Sequence, residues 1–496
     1  MNNCTLKEFF LHLEVERVAF NKVYKPKILN GVKLMKKKVP VAFLFFFIFL
    51  VSTPYAFSTN YYVNGSTGSD GYDGLYETYQ GGSNGPWKTI GKAASAVPSG
   101  SHTINVTEGT YAERVTITAS GIDSNNLLHY KANGTAICRG FELNGNYVKV
   151  EGFTCTSPFC DLTDGVGIRI RGNYCIALNN VCQDCPDGGI ALESTANNCT
   201  VKGNTIVRCG VKGIAVLGGT NHHIENNDIS DIRAKIGTCL LAVEANGVHF
   251  HGVGHVFIGN YIHNIISANQ SGYHPHIDAF QTWDDGPPIG AATNCTFEKN
   301  HIDMLYQAPT QEDCAHGWML EESTNIIIKN NIVKVYSGVN TGGGGNSNLT
   351  LVNNTFINDL TLNTAFWPTG VGISNLSNCK VKNNIFYDQD YKAWEAKGTN
   401  PGLDVDYNCM YRSDGKTPNG VQKPHDLWGI NPLFVNVGQD DYHLQSNSPC
   451  IDAGITLSGV TDDYDGNPRP RGAAFDIGAY EYKPSISRPV GLRIVN

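Results

Sequence analysis

The sequence predicts an all-β solenoid, a stack of short parallel strands wound around one elongated core. The first observation is a repeat, apolar-x-Asn/Gly/Lys-Asn-x-apolar, closed by Asn180, Asn204, Asn227, Asn260, Asn300, Asn331, Asn354 and Asn384. The spacings are 24, 23, 33, 40, 31, 23 and 30 residues, and self-similarity at 20–50 residues marks repeat architectures. The second is alternation: β-branched and aromatic residues recur with period two between Gly/Asn turns, with almost no helical pattern. The third is composition. With 41% apolar and only 17% charged residues the chain buries a real core, which excludes wholesale disorder.

Residues 1–58 read as a leader. Lys36, Lys37 and Lys38 precede an apolar run (h-region about 39–51) that ends in Ala56-Phe57-Ser58. The run is short for a bilayer span and has the layout of a secretory signal peptide, so the expected location is secreted or cell-surface. A membrane association is expected only through this leader if it stays uncleaved. The leader holds nine Lys/Arg and three Asp/Glu, leaving 28 against 42 and a net charge of −14. Such a surface repels nucleic acid, and no nucleic-acid partner is expected.

Residues 59–130 form the amino-terminal cap and first rungs, with Trp87 packing the cap helix. Residues 131–395 carry the repeats. Two inward ladders follow from the register. Three residues before each Asn stand Val201, Ile224, Phe257, Phe297, Ile328, Leu351 and Val381; two residues after it stand Cys182, Ile206, Ile229, Ile262, Ile302, Val333, Phe356 and Phe386. Five residues before the Asn, Cys175, Cys199, His222, His255, Cys295 and Cys379 share a buried row. The cysteines are therefore small core residues, with Cys175/Cys199 and Cys185/Cys209 close enough to leave a disulfide open. The asparagines suit tight turns, where Asn tolerates φ > 0, and their stacked amides can bond from rung to rung. Gly152 fits as an earlier copy. Residues 396–482 lose the repeat and are expected to cover the last rung, and 483–496 form a tail. A capped solenoid needs no partner, so a monomer is expected.

At this point the chain resembles secreted right-handed parallel β-helix proteins of the pectate-lyase-like class. The opening YYVNGSTGSDGYDG…GPWKTIGKAASAV…VTEGTYAERVTI is similar to their cap, and NPLFVNVGQDDYHLQSNSPCIDAG…DDYDGNPRPRGAAFDIGAYEY to the closing segment many of them carry. The resemblance implies a right-handed parallel β-helix with a short capping helix. It leaves the activity open, because this scaffold hosts lyases, hydrolases, epimerases and non-enzymes.

The intervals 227→260, 260→300 and 300→331 exceed the basic period, and solenoid insertions emerge as loops on one side. Aligning the Gly-apolar-x-apolar strands GIRIR, GIALE, GIAVL, GVHFH, AFQTW and GWMLE points their third and fifth residues outward. Plain rungs carry Ala or Leu there. The inserted rungs place His249, His251, Asp278, Gln281, Trp283, His316 and Glu321 on one patch, and the neighbouring loop adds His274, His276, Asp284 and Asp285. Asp278, His276, His249, Glu321, Asp284 and Asp285 are the candidate catalytic groups. His251, Gln281, Trp283, His316, Arg233 and Lys235 are the candidate substrate-binding groups, the last two as a carboxylate clamp.

Two chemistries fit these residue types on a polysaccharide. Inverting hydrolysis needs an acid and a base carboxylate about 6.5–9.5 Å apart. β-Elimination or C5-epimerisation needs a base beside a cation that offsets enolate charge, and His274-Pro-His276-Ile-Asp278 is similar to the Asp-Pro-His-Asp element of alginate epimerases. A non-catalytic adhesin or glycan-binding protein would use the same groove without paired titrating groups. No HExxH-like spacing occurs, so no metal ligands are assigned. The acidic stretches Ser69–Asp73 and Asp462–Asp465 are candidate Ca2+ sites on oxygen ligands, without EF-hand spacing.

Overall fold

The structure, a computed structural model, describes residues 58–157, 165–236, 239–240, 244–266, 275–284, 286, 289–305, 315–342, 344–361 and 369–484. The leader, His274 and Asp285 lie outside the described residues, as does the Lys235 side chain. From Thr59 to Trp428 the described strands, apart from a small antiparallel pair at 235–240, form one continuous parallel hydrogen-bond network. Each rung contributes a strand to each of three faces, as Gly188–Leu192, Thr200–Lys202 and Thr205–Val207 illustrate.

The ladders follow the sequence register. Ile224 pairs with Val201 and Phe257, and Phe257 with Phe297. Ile206 pairs with Cys182 and Ile229. Their side chains are fully buried and belong to one apolar core running from Val63 to Met410. Phe257 and Phe297 stack with ring centroids 4.6 Å apart. Burying one such ring contributes about 2–3 kcal/mol, and the stack repeats that gain on successive rungs. The glycine opening each site-face strand has a steric reason: a Cβ on Gly189 would come within 2.4 Å of Ile206 and 2.6 Å of the Gly213 carbonyl.

The asparagines divide their labour differently from the sequence expectation. The closing Asn of each repeat does not occupy the left-handed turn. It points into the core, where its backbone N–H and Nδ2 both donate to Oδ1 of the Asn on the next rung at 2.8–3.1 Å, from Asn180 through Asn384. The positive φ belongs to the preceding residue: Asn179, Gly203, Asn226, Gly259, Lys299, Asn330, Asn353 and Asn383. Gly152 matches that turn position, and Phe153 takes the ladder slot below Asn180.

The repeat also continues past residue 395. Asn408 extends the ladder and Asp426 ends it by accepting the Asn408 N–H at 2.9 Å. The closing segment then does more than cover the last rung. It returns along the flank, where Asn330, Asn353 and Asn383 donate to the carbonyls of Asp462, Asp476 and Ile455 at 2.8–3.0 Å. Within it Arg469 and Glu481 form a fully buried pair at 2.7 Å. At the other end, the helix Ile90–Ala96 is capped by Thr89 and receives the Glu113 carboxylate at its first N–H groups. Trp87 stacks on Tyr61 of the first strand.

The eleven cysteines whose side chains are described are buried free thiols. Cys175 and Cys199 each place the thiol 3.2 Å from a backbone carbonyl. The candidate Ca2+ stretches are occupied by protein donors. Asp70 accepts from the Lys88 and Thr89 N–H groups, Asp463 from Asn467 and Glu481, and Asp462 pairs with Lys299.

Candidate active site

The outward positions of the inserted rungs come into register as aligned. Ala215 pairs with His249, His249 with Gln281, and Gln281 with Met319. Asp278 pairs with His316 in the column beside them. These side chains point away from the core yet are covered: Asp278 is 0% exposed, His251 1% and His249 2%. The patch is thus a sealed polar cluster with an open edge, in contrast to the fully solvent-facing row that alternation alone suggests.

Asp278 is its centre. Its Oδ1 accepts a hydrogen bond from His316 Nδ1 at 2.8 Å. Its Oδ2 lies 2.9 Å from Nδ1 of His276, whose ring is partly exposed. The Asp278 backbone N–H donates to Asn246 Oδ1 at 3.1 Å, and the Asn246 amide in turn holds Gln281. Burial alone would raise the Asp278 pKa, but the two imidazoles outweigh it and hold the carboxyl below its ordinary range. The same contact raises the His276 pKa, with Glu244 and Glu321 adding to it through space. At pH 7 the arrangement favours an anionic Asp278 beside a readily protonated His276.

His316 has two faces. With Nδ1 committed to Asp278, Nε2 points to the Asn340 amide, 3.5 Å away. It borders a cleft of about 210 Å3 that continues through Tyr336, Ser337, Asn340, Tyr391, Glu395 and Lys397. A second block abuts the cluster: Trp283 stacks on His249 with centroids 3.9 Å apart, and His249 and His251 approach through their Nε2 atoms at 2.7 Å. Burial, with Lys212 nearby, drives the His249 pKa far down, so this ring is neutral.

The remaining predicted residues stand apart. Arg233 spends its guanidinium on Asp231 at 2.6 and 2.9 Å, and Lys235 lies in a two-residue antiparallel pairing with Cys239–Leu240. Among the described residues, no contact draws Arg233 into the cluster. Asp284 is exposed and caps the Gly286 N–H. His222 and His255 are core histidines, stacked at 4.9 Å and accepting backbone N–H bonds from Cys199 and His222.

Sequence reasoning did not assign Asn340, Glu395 or the cleft around them. The signal was present: Met319 pairs with Asn340, Asn340 with Gly372 and Gly372 with Glu395, so the same outward column continues three rungs beyond the insertions. Glu244 was missed as well, and it bridges directly to the His276 rung.

Comparison with known proteins decides the hand of the coil. The family model described as "Right handed beta helix region" matches residues 195–411. The fold is a right-handed parallel β-helix. A second model, "Periplasmic copper-binding protein (NosD)", matches residues 97–278 of this β-helix. Among solved structures, the pectate lyase Pel9A is 17% identical with a TM-score of 0.52, covering 86% of this chain and 97% of that one. XylC, solved with xylose, is 13% identical with a TM-score of 0.52, covering 86% and 99%. At these identities the likeness is one of β-helix fold. None of the curated proteins compared with the chain matches it in sequence.

Proposed function

We propose that this β-helix protein works outside the cytoplasm on a polysaccharide lying in the groove of the inserted rungs. Its reaction starts with proton abstraction by His316, positioned by Asp278. One observation carries the reading: a buried carboxylate bonds Nδ1 of an imidazole that lines a cleft. That arrangement fixes the tautomer, leaves the lone pair on Nε2 and stabilises the imidazolium that forms. His276, with its raised pKa, supplies positive charge beside the base. This pairing suits β-elimination or epimerisation of a uronic sugar. Two-carboxylate hydrolysis fits less well, because Asp278 is sealed between His276 and His316 and cannot meet a glycosidic oxygen.

Two solved β-helix proteins of matching extent support a sugar ligand, since one is a pectate lyase and the other was solved with xylose. The family name that includes "periplasmic" agrees with the leader. The adhesin alternative predicts aromatic platforms without a coupled acid–base pair, and the 2.8 Å Asp278–His316 bond speaks against it. The test is a screen of the mature chain on neutral and uronic polysaccharides, following reducing ends and the absorbance of unsaturated products. A lyase gives both signals and a hydrolase only the first; an epimerase gives neither and is read by C5 proton exchange in deuterated water. Failure of His316→Gln to change whichever signal appears would remove His316 from the chemistry.

A further inference from the structure

Among the described residues, His276, Asp278 and His316 are the one group of three His, Cys, Asp or Glu side chains whose ligand atoms converge, all within 4.8 Å of one another. A hydrogen-bonded triad would explain such closeness only if both imidazoles bonded the carboxylate. One does. The His316 Nδ1–H is aligned on Oδ1, but Asp278 Oδ2, in a fully buried side chain, accepts no hydrogen bond. His276 Nδ1 lies 2.9 Å from it, and the Gln281 amide nitrogen approaches that same Nδ1 at 3.4 Å. With the His276 proton on Nε2, two lone pairs would face each other here, and either a second proton or a metal cation must sit between them. An unsatisfied buried carboxylate oxygen is costly enough to need such a counterpart.

We infer that His276, Asp278 and His316 form a binding site for a divalent transition-metal ion, and that a bound ion suppresses proton transfer at His316. The donor set favours this class of ion. Two imidazole nitrogens and one carboxylate suit Zn2+, Cu2+, Ni2+ or Fe2+, whereas Ca2+ and Mg2+ prefer oxygen cages. Outer partners are in place: Asn246 holds the Asp278 backbone, Gln281 borders His276 and Asn340 borders His316, the kind of support that orients metal ligands. The partly exposed His276 ring gives the ion an entry side. Binding displaces the Nδ1 proton of His316, which passes through solvent to Nε2, so the neutral ring carries its one proton on Nε2 and no longer offers a lone pair to the cleft. This second half rests on the reading of His316 as the base; the site itself does not.

The experiment uses the full chain stripped with EDTA and titrated with Zn2+ by calorimetry, with Co2+ absorption as a second readout. One ion per chain is expected, with visible d–d bands and no thiolate charge transfer. His276→Gln, at the open edge where folding is least at risk, should weaken Zn2+ binding more than about a hundredfold, beyond what loss of an outer-shell partner costs. His443→Gln removes a histidine that bonds Asp441 and Asp465 and should leave binding intact. Absence of a bound ion, binding that survives His276→Gln, or a Co2+ spectrum dominated by sulfur would overturn the site. Where turnover is found, stoichiometric Zn2+ should abolish it and EDTA restore it; turnover unaffected by bound Zn2+ would overturn the switch. Zn2+ binding with no turnover on any sugar would strike the catalytic reading alone.

Discussion

The asparagine ladder and the histidine–aspartate cluster are both rows of buried polar side chains on successive rungs, and they are built on opposite rules. In the ladder every rung repeats the same residue, and each amide finds donor and acceptor partners above and below. In the cluster every rung differs, Asp278 Oδ2 and His249 Nδ1 accept or donate no hydrogen bond, and the row ends on a cleft. Repetition lets a solenoid bury polarity at little cost, because a satisfied hydrogen bond offsets desolvation. Variation breaks that satisfaction, and the unsatisfied atoms mark where chemistry or a ligand belongs.

The sharpest way to break this contrast is His316→Gln. If the cluster is catalytic, kcat/KM on the active polysaccharide falls about 10^2–10^4-fold, the usual contribution of a positioned base, while the thermal midpoint stays close to wild type. Next comes Asn300→Leu on the ladder. It removes the acceptor of the Asn260 N–H and of one Asn260 Nδ2 hydrogen, and the side-chain donor to the Phe257 carbonyl, and a loss of about 3 kcal/mol or more in urea unfolding is expected. A loss below about 1 kcal/mol would show that the ladder is not a stabilising device.

A third row, the buried His222–His255 stack among cysteines, sharpens the comparison through pH. Burial and the neighbouring His222 lower the His255 pKa to about 3. Its neutral form is favoured in the folded chain, so the stability is present above the unfolded pKa near 6.5 and lost as pH falls towards the folded value. Between pH 7 and pH 5 this site should cost roughly 2 kcal/mol. His255→Cys, the residue used at the equivalent Cys199 and Cys295, should flatten that part of the pH–stability curve. The smallest effect is expected at the half-exposed Arg208–Asp184 pair. There Arg208→Ala should change unfolding free energy by less than about 1 kcal/mol, as exposed ion pairs usually do.

Much of this architecture was legible in the residues. The inward columns built on Phe257, Ile206 and their neighbours follow from period-two alternation anchored to one Asn per rung, because a one-residue slip would have exposed every one of them. The outward column through His249, Gln281 and Met319 was legible for the same reason. What alternation cannot give is how deeply an outward side chain is covered. Asp278 reads as a surface acid and is fully buried, because burial there depends on side chains from the adjoining rungs, Asn246 and His316, and on His276. Arg233 reads as a clamp and is spent on Asp231, two residues away, a local pairing that no repeat pattern encodes. Nor could the repeat tell which of two adjacent asparagines turns the chain and which enters the core.

The closing segment that doubles back along the flank changes how this coil comes apart. A plain stack of rungs frays from its free end, each turn leaving without disturbing the one before it. Here Asp462 and Asp476, near the end of the described chain, are fastened beside Asn330 and Asn353, several turns upstream. Peeling the last rung therefore means first releasing a brace that spans those turns. The carboxy-terminal half should melt as one block, and a truncation before residue 460 should loosen rungs whose own sequence is untouched.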